Sequence, residues 1–351
     1  MVVVNNPGNP YYVHSQLAHV DWYGMTFADI IAPWFLWVIG ITTAISLSRR
    51  MGNMSRMALF GHVLRRALVL YVIGVLLTSM TVFVEESVFT GFKSLRVMGI
   101  LQRIAICYAF GSAVFLLMSD KARVAIAVLL LVGYWIFLTW FPGPSDGAGP
   151  FEVGSNRAYI VDLQLLGHLG DTHSHSLLTI PPALSTVLFG MVAGDLMRRR
   201  DKVFQTVFSL FAGGFVLCML GILLSQWIPI NRYLWTPSFA LVTSGIATVT
   251  FAAIYWLVEV LRLRTGIAWL VAYGANPIFL FVLSELGRMI IGMKGTTDST
   301  GGWHSYWMVG YEILLSIANP KTASALFALT YMALLGFIAV GMYRRGWIVK
   351  V

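Results

Sequence analysis

In the stretch "LAHVDWYGMTFADIIAPWF", residues 17–35, a histidine, His19, stands just ahead of a long apolar run that carries Asp29 near its start. An imidazole is the side chain best suited to taking a proton near neutral pH, and a carboxylate that orients it completes a general-base pair. Each residue also admits a plainer role. Thr26 followed by Asp29 fits a capping box, and negative charge is favoured at a helix amino terminus. His19 could equally be an interfacial residue bonded to a loop carbonyl.

More polar groups recur at the edges of apolar runs. "RVMGILQRIAICY" places Arg96 just before a run and Gln102 and Arg103 inside it. Ionisable residues within a membrane span are functional candidates by default, with snorkelling to the interface as the alternative. "PINRYLWTPSF" brings Asn231, Arg232 and Trp235 together, a set that suits a sugar-stacking platform as well as an aromatic belt. Glu285 and Arg288 have the spacing of an ion pair on one helix face. Asn276 precedes Pro277, where it could satisfy backbone groups or line a cavity. "LLGHLGDTHSHSLL" holds His168, Asp171, His173 and His175. Their irregular spacing matches no defined metal site, so no metal is expected, and a substrate-facing loop is the better functional reading.

These residues must be positioned by membrane helices. The chain has 351 residues, 58% hydrophobic and 11% charged, with a mean hydropathy of +0.77, against about 25% charged in soluble proteins. Runs near 25–48, 67–84, 99–118, 124–141, 179–197, 203–228, 237–261, 267–292 and 322–343 approach the roughly 20 residues that a spanning helix needs. Lipid leaves such runs no alternative to helix. The expected fold is all-α: a polytopic transmembrane helical bundle of about nine full spans in one domain, residues 1–351. "MVVVNNPG" reads as an interfacial entry or the remnant of a first helix over residues 1–8, and residues 142–178 as a large outer loop.

Basic residues set the orientation. Arg49, Arg50, Arg56, Arg65 and Arg66 share one face with Lys121, Arg123, Arg198 to Arg200, Lys202, Arg262, Arg264, Arg344, Arg345 and Lys350. The opposite loops hold only Lys93, Arg96, Arg157, Arg232, Lys294 and Lys321. The richer face is therefore cytoplasmic, with the carboxyl terminus on it and His19 outside. Topology accounts for the net charge of +9, which gives no support to nucleic-acid binding. Cys107 and Cys218 fall in apolar runs and suggest neither a disulfide nor a metal site.

The motifs "HVDWYGMTFADIIAPWF", "RVMGILQRIAICY", "TIPPALSTVLFGMVAGD", "NRYLWTPSFAL" and "GANPIFLF", in this order, resemble the heparan-alpha-glucosaminide N-acetyltransferase family. The resemblance implies a transmembrane acyltransferase that takes acetyl from acetyl-CoA on the cytoplasmic side and delivers it to an amino sugar or envelope glycan outside. It puts the family's active histidine on His19, its partnered aspartate on Asp29 and its "VN" asparagine on Asn5. Such a member is expected in a bacterial inner membrane, with a homodimer allowed for. A neutral imidazole could take the acceptor's proton, or His19 could be the acyl-accepting nucleophile, and an amide such as that of Asn5 suits the oxyanion. Arg96, Gln102, Arg103, Asn231, Arg232, Trp235 and Asn276 are substrate-binding candidates. The reading from another class is a secondary transporter using the same intramembrane polar residues; inverted repeats would favour it, and none is evident.

Overall fold

The computed structural model describes residues 1–85, 97–140, 149–166, 176–199, 203–297 and 302–349. It bears out an all-α polytopic membrane protein. Among the described residues eight helices are long and apolar enough to cross a membrane, or up to nine if a bent pair counts as one span. The chain divides into two compact units: Met1–His19 with Thr26–Ala28 and Arg264–Val351, and Val20–Met25 with Asp29–Leu263.

Most of the larger unit is built from α2 (Phe27–Arg50), α3 (Arg56–Glu85), α4 (Ile100–Leu117), α5 (Asp120–Trp140), the short α6 (Arg157–Leu166), α7 (Ile180–Arg199), α8 (Val203–Leu224) and α9 (Pro237–Tyr255), which runs into a π turn at Trp256–Val260. α7 is the hub, with 78% of its apolar window buried. It packs against α4, α5, α8 and α9. Small residues explain how. A Cβ on Gly40 or Gly190 would collide with the backbone of the facing helix, at Val187 and Trp37 respectively, so α2 and α7 touch main chain to main chain. In lipid, where apolar side chains gain little by leaving their surroundings, such close backbone approach is what holds helices together. α8 and α9 repeat the device: a Cβ on Gly245 would lie 2.5 Å from Cys218 Sγ, and one on Gly221 2.6 Å from Val242 Cγ2. Trp37, Ile41, Ala193, Leu210, Ala247 and Ala252 form the core between these helices.

Two features differ from the hydropathy reading. α3 begins at Arg56 rather than near 67, so Arg65 and Arg66 are helical and not loop residues. Arg66 lies 5.2 Å from the centre of the Tyr108 ring, since its long stem lets the guanidinium reach the aromatic face of the neighbouring helix. Within 142–178, α6 and a 3₁₀ turn at Leu177–Thr179 impose order on part of the expected loop.

The smaller unit holds α1 (Val2–Asn5), α10 (Ala268–Ala275), α11 (Pro277–Met293), a hairpin of β1 (Gly295–Thr297) and β2 (Trp303–Ser305), α12 (Tyr306–Leu315) and α13 (Pro320–Arg344). α13 is its organiser, packing against α1, α10 and α12. It starts where Asn319 accepts the Thr322 amide at 3.0 Å and Pro320 fills the first helical position. The run expected at 267–292 is not one straight span: α10 and α11 meet at 82°. Pro277 has no amide to continue the first helix. Asn276 closes the break, donating from Nδ2 to the Trp347 carbonyl at 2.9 Å and accepting the Val349 amide at 2.7 Å.

Candidate active site

Asp29 lies in the first turn of α2, and its side chain is wholly covered. Its Oδ1 accepts from Arg232 at 2.9 Å, and its Oδ2 accepts the main-chain amide of Val20 at 3.3 Å. The carboxylate thus joins the loop before α9 to the residue that follows His19. A buried charge is tolerable when paired and hydrogen-bonded, and Arg232 supplies the pairing with 19% of its side chain exposed. Tyr233 reinforces the same junction. Its hydroxyl donates to the Val20 carbonyl at 3.1 Å, and its ring stacks on Trp22 with centroids 5.2 Å apart. Trp22 in turn donates to the Phe151 carbonyl, and the Gly24 amide to the Ile230 carbonyl.

Asn231 organises that loop through its amide oxygen. Fully buried, it accepts the amides of Tyr233 and Leu234 at 2.8 and 2.9 Å through Oδ1, a local turn of the kind short amide side chains favour. The turn leaves Trp235 at φ 50°, in the left-handed region that only a tightly determined environment imposes on a bulky residue. The Trp235 ring is 3% exposed, with the Arg103 guanidinium 4.7 Å from its centre. A cation therefore stacks on this ring.

Arg103 does not snorkel. It is 5% exposed and donates to Thr179 Oγ1 at 2.7 Å. Gln102, 1% exposed, donates weakly to Thr78 at 3.4 Å. A Cβ on either Gly74 or Gly99 would come within 2.6 Å of Gln102 Oε1, so those two glycines make room for its amide. Gln102, Arg103, Asn231 and Trp235 are thus packed as a buried polar frame. Thr179, which Arg103 requires, carried no sequence signal beyond its small polar type. Arg96, His168, Asp171, His173 and His175 lie outside the described residues. Among the described residues no group of three or more His, Cys, Asp or Glu could hold a metal ion.

In the smaller unit His19 is exposed. The chain before it is fixed to the start of α2: Gln16 accepts the Ala28 amide with its main-chain carbonyl and the Phe27 amide with its side chain, and Thr26 donates to the Ala18 carbonyl at 2.7 Å. Two first-turn amides of α2, those of Phe27 and Ala28, are therefore satisfied by Gln16. Asn5 donates from Nδ2 to Glu285 Oε1 at 3.4 Å, and Glu285 pairs with Arg288 at 3.2 Å. The expected Glu285–Arg288 ion pair is present, and Asn5 rests on it. Asn276 directs both ends of its amide to the carboxyl-terminal segment.

Residues 9–222 match the heparan-alpha-glucosaminide N-acetyltransferase catalytic family. The mouse protein of that name is 25% identical over 342 residues, an alignment covering 82% of this chain and 51% of that protein. The human protein of the same name is 25% identical over 347 residues, covering 82% and 50%. The chain spans about half the length of both relatives. With more than half of its residues matched in one continuous stretch, the chain belongs to the heparan-alpha-glucosaminide N-acetyltransferase catalytic family.

Proposed function

We propose that the protein is a membrane-embedded acyltransferase that moves an acetyl group from acetyl-CoA on the cytoplasmic face to an amino sugar or related envelope glycan on the opposite face. The observation that carries the reading is an exposed histidine on a chain fixed at both sides, by Gln16 and Ala18 before it and by the Val20 amide on Asp29 after it. Geometry of this kind is what a general base or nucleophile needs.

In the proposed reaction the acceptor amine attacks the thioester carbonyl of the donor, neutral His19 takes the proton that the amine loses, and the C–S bond breaks as the CoA thiolate leaves and takes that proton from the imidazolium. In the nucleophilic variant the His19 imidazole attacks first, the C–S bond breaks and the thiolate leaves with the imidazole's proton, and the amine then takes acetyl from the acetyl-imidazole, giving its own proton back to His19. Both routes place negative charge on the carbonyl oxygen. Asn5, whose Nδ2 spends one hydrogen on Glu285, has a second to offer that oxyanion. Asp29 acts on the main chain at Val20, with Arg232 balancing its charge. Arg103, Gln102, Asn231 and Trp235 form the rigid frame behind this loop, and Arg96 is a further candidate contact for substrate.

The donor's phosphates cannot enter lipid and would be held by the basic face: Arg49 and Arg50 at the end of α2, Arg65 and Arg66 on α3, and Arg198 to Arg200. The chain would sit in a bacterial inner membrane with its carboxyl terminus cytoplasmic. The test is incubation of purified protein with labelled acetyl-CoA and a panel of amino sugars. Labelled N-acetyl product supports the reading, and its absence with every acceptor, under conditions where the protein is folded, counts against it.

A further inference from the structure

A cavity of about 400 Å³ opens in the larger unit where α2, α3, α4, α5 and α7 end or begin, lined by Arg56, Arg123 and Arg198 together with Ser48, Ser119 and an apolar group that includes Phe115 and Leu117. Its charge is unbalanced. Arg123 is 4% exposed and lies between Asp120 and Asp195, at 2.5 Å from the latter, while Arg198 reaches Asp195 at 3.4 Å. Two carboxylates thus serve two of the guanidiniums, and Arg56 has no ion pair with a described residue. Arg123 also keeps a buried Nε–H without a hydrogen-bond partner, a donor that a buried site should not waste. A surplus cation beside an unused donor calls for an anion.

We infer that this cavity binds the phosphate of an anionic phospholipid headgroup. The surroundings choose a lipid over a soluble nucleotide. Leu117 and Met118, both lining the cavity, are 68% and 45% exposed, and Phe110 is 58% exposed on the same helix, α4. In a bilayer these residues meet acyl chains. A ribose and base seated there would find only Ser48 and Ser119 as uncharged polar side chains, against Met51, Phe115, Leu116, Leu117 and Met118. A headgroup phosphate on the guanidiniums with its chains along α4 satisfies both halves of the lining. The site shares Arg198 with the basic face proposed for the donor's phosphates, but it contains neither His19 nor Asn5 nor Asp29, and Arg56, on which the test turns, has no part in the proposed transfer.

Arg56 is the variant of choice, because Arg123 anchors the α5–α7 ion-pair network and its loss would disturb folding. Purified full-length protein is examined by native mass spectrometry with phosphatidylglycerol and with phosphatidylcholine, for the wild type and for Arg56→Gln and Arg198→Gln. The expected result is preferential retention of phosphatidylglycerol by the wild type, weakened about fivefold for each lost guanidinium, at unchanged thermal stability. Equal retention of the two lipids, or selectivity untouched by both substitutions, overturns the inference. Adenosine 3′,5′-bisphosphate is added as a soluble competitor. If it displaces phosphatidylglycerol from the wild type and fails to bind Arg56→Gln, the cavity is a nucleotide site and the lipid assignment is wrong.

Discussion

Asp29 accepts the main-chain amide of Val20 at 3.3 Å while its other oxygen holds Arg232 at 2.9 Å. One carboxylate thereby ties the residue next to His19 to a loop some two hundred positions further along the chain. Asp29 thus acts on the segment at His19 through the backbone.

His19→Ala is expected to abolish acetyl transfer and leave the fold intact, because the side chain is exposed and its removal creates no core cavity. Rate of labelled product and thermal unfolding, measured on one preparation, check both halves. Wild-type activity in the variant would remove His19 from the mechanism.

The Asp29–Arg232 pair should respond asymmetrically. Asp29→Asn leaves Arg232 without its carboxylate, but Arg232 is partly exposed and water can serve it; the cost is about 1–3 kcal/mol. Arg232→Gln removes the cation paired with a wholly covered carboxylate, which costs about 3–5 kcal/mol. The double variant should be less damaged than the sum of the two. Unfolding of the four proteins in one detergent gives the cycle, and equal destabilisation by the two single changes would show that Asp29 is not buried as described. Activity should fall less with Asp29→Asn than with His19→Ala, since Asn still offers an oxygen to the Val20 amide.

How much of this was legible in the sequence depends on the range of the interaction. Hydropathy located every long helix, because spanning length and apolarity are local properties. Residues 267–292 read as one run, with Asn276 satisfying backbone groups or lining a cavity before Pro277, whereas the 82° bend there depends on the carboxyl-terminal segment filling both sides of the Asn276 amide. The start of α3 at Arg56 was hidden by charges that read as loop, although their long stems can lie along a helix end. Asp29 was visible as a first-turn acid, while its partner Arg232 could come only from the fold. Trp235 shows the limit most clearly. An aromatic beside Asn and Arg suits a sugar platform on paper, yet the Asn231 turn forces it inward beneath Arg103.

The α8–α9 seam makes a packing prediction. A Cβ on Gly245 would sit 2.5 Å from Cys218 Sγ and 2.6 Å from the Cys218 amide nitrogen, and backbone cannot give way as a side chain can. Gly245→Val should therefore cost about 1–3 kcal/mol by overpacking, whereas Gly213→Ala, where a Cβ meets nothing within 4 Å, should be neutral. Thermal unfolding of the two variants decides, and similar midpoints would deny the close approach.

Orientation is tested within the larger unit alone. If the basic face is cytoplasmic, Asn53 after α2 lies inside and Gln226 after α8 lies outside, because the intervening spans alternate. Cys107 is buried and Cys218 partly so, which leaves a low background for labelling. An impermeant maleimide added to intact cells should modify Gln226→Cys and spare Asn53→Cys; the reverse pattern inverts the topology.

Vectorial transfer is the most demanding consequence of the proposed function. Acetyl-CoA is polyanionic and a glycan acceptor is heavily hydroxylated, so neither crosses hydrocarbon at a useful rate. If the nucleotide is held on the arginine-rich face, only the pantetheine arm can carry acetyl through the bundle towards His19, and donor and acceptor react without either leaving its own compartment. Sealed vesicles of one known orientation separate this from ordinary catalysis on a single face. Labelled acetyl-CoA supplied only on the cytoplasmic face should label an impermeant amino sugar held only on the other, and His19→Ala should erase the signal while the vesicles remain sealed. Neutralising Arg49 and Arg50 should raise the donor concentration needed for half-maximal rate and leave the acceptor requirement unchanged, because those residues would touch only the nucleotide. If label reaches the acceptor only when both substrates share a face, the protein can still be an acetyltransferase, but its two substrates meet on one side and the path through the membrane is wrong.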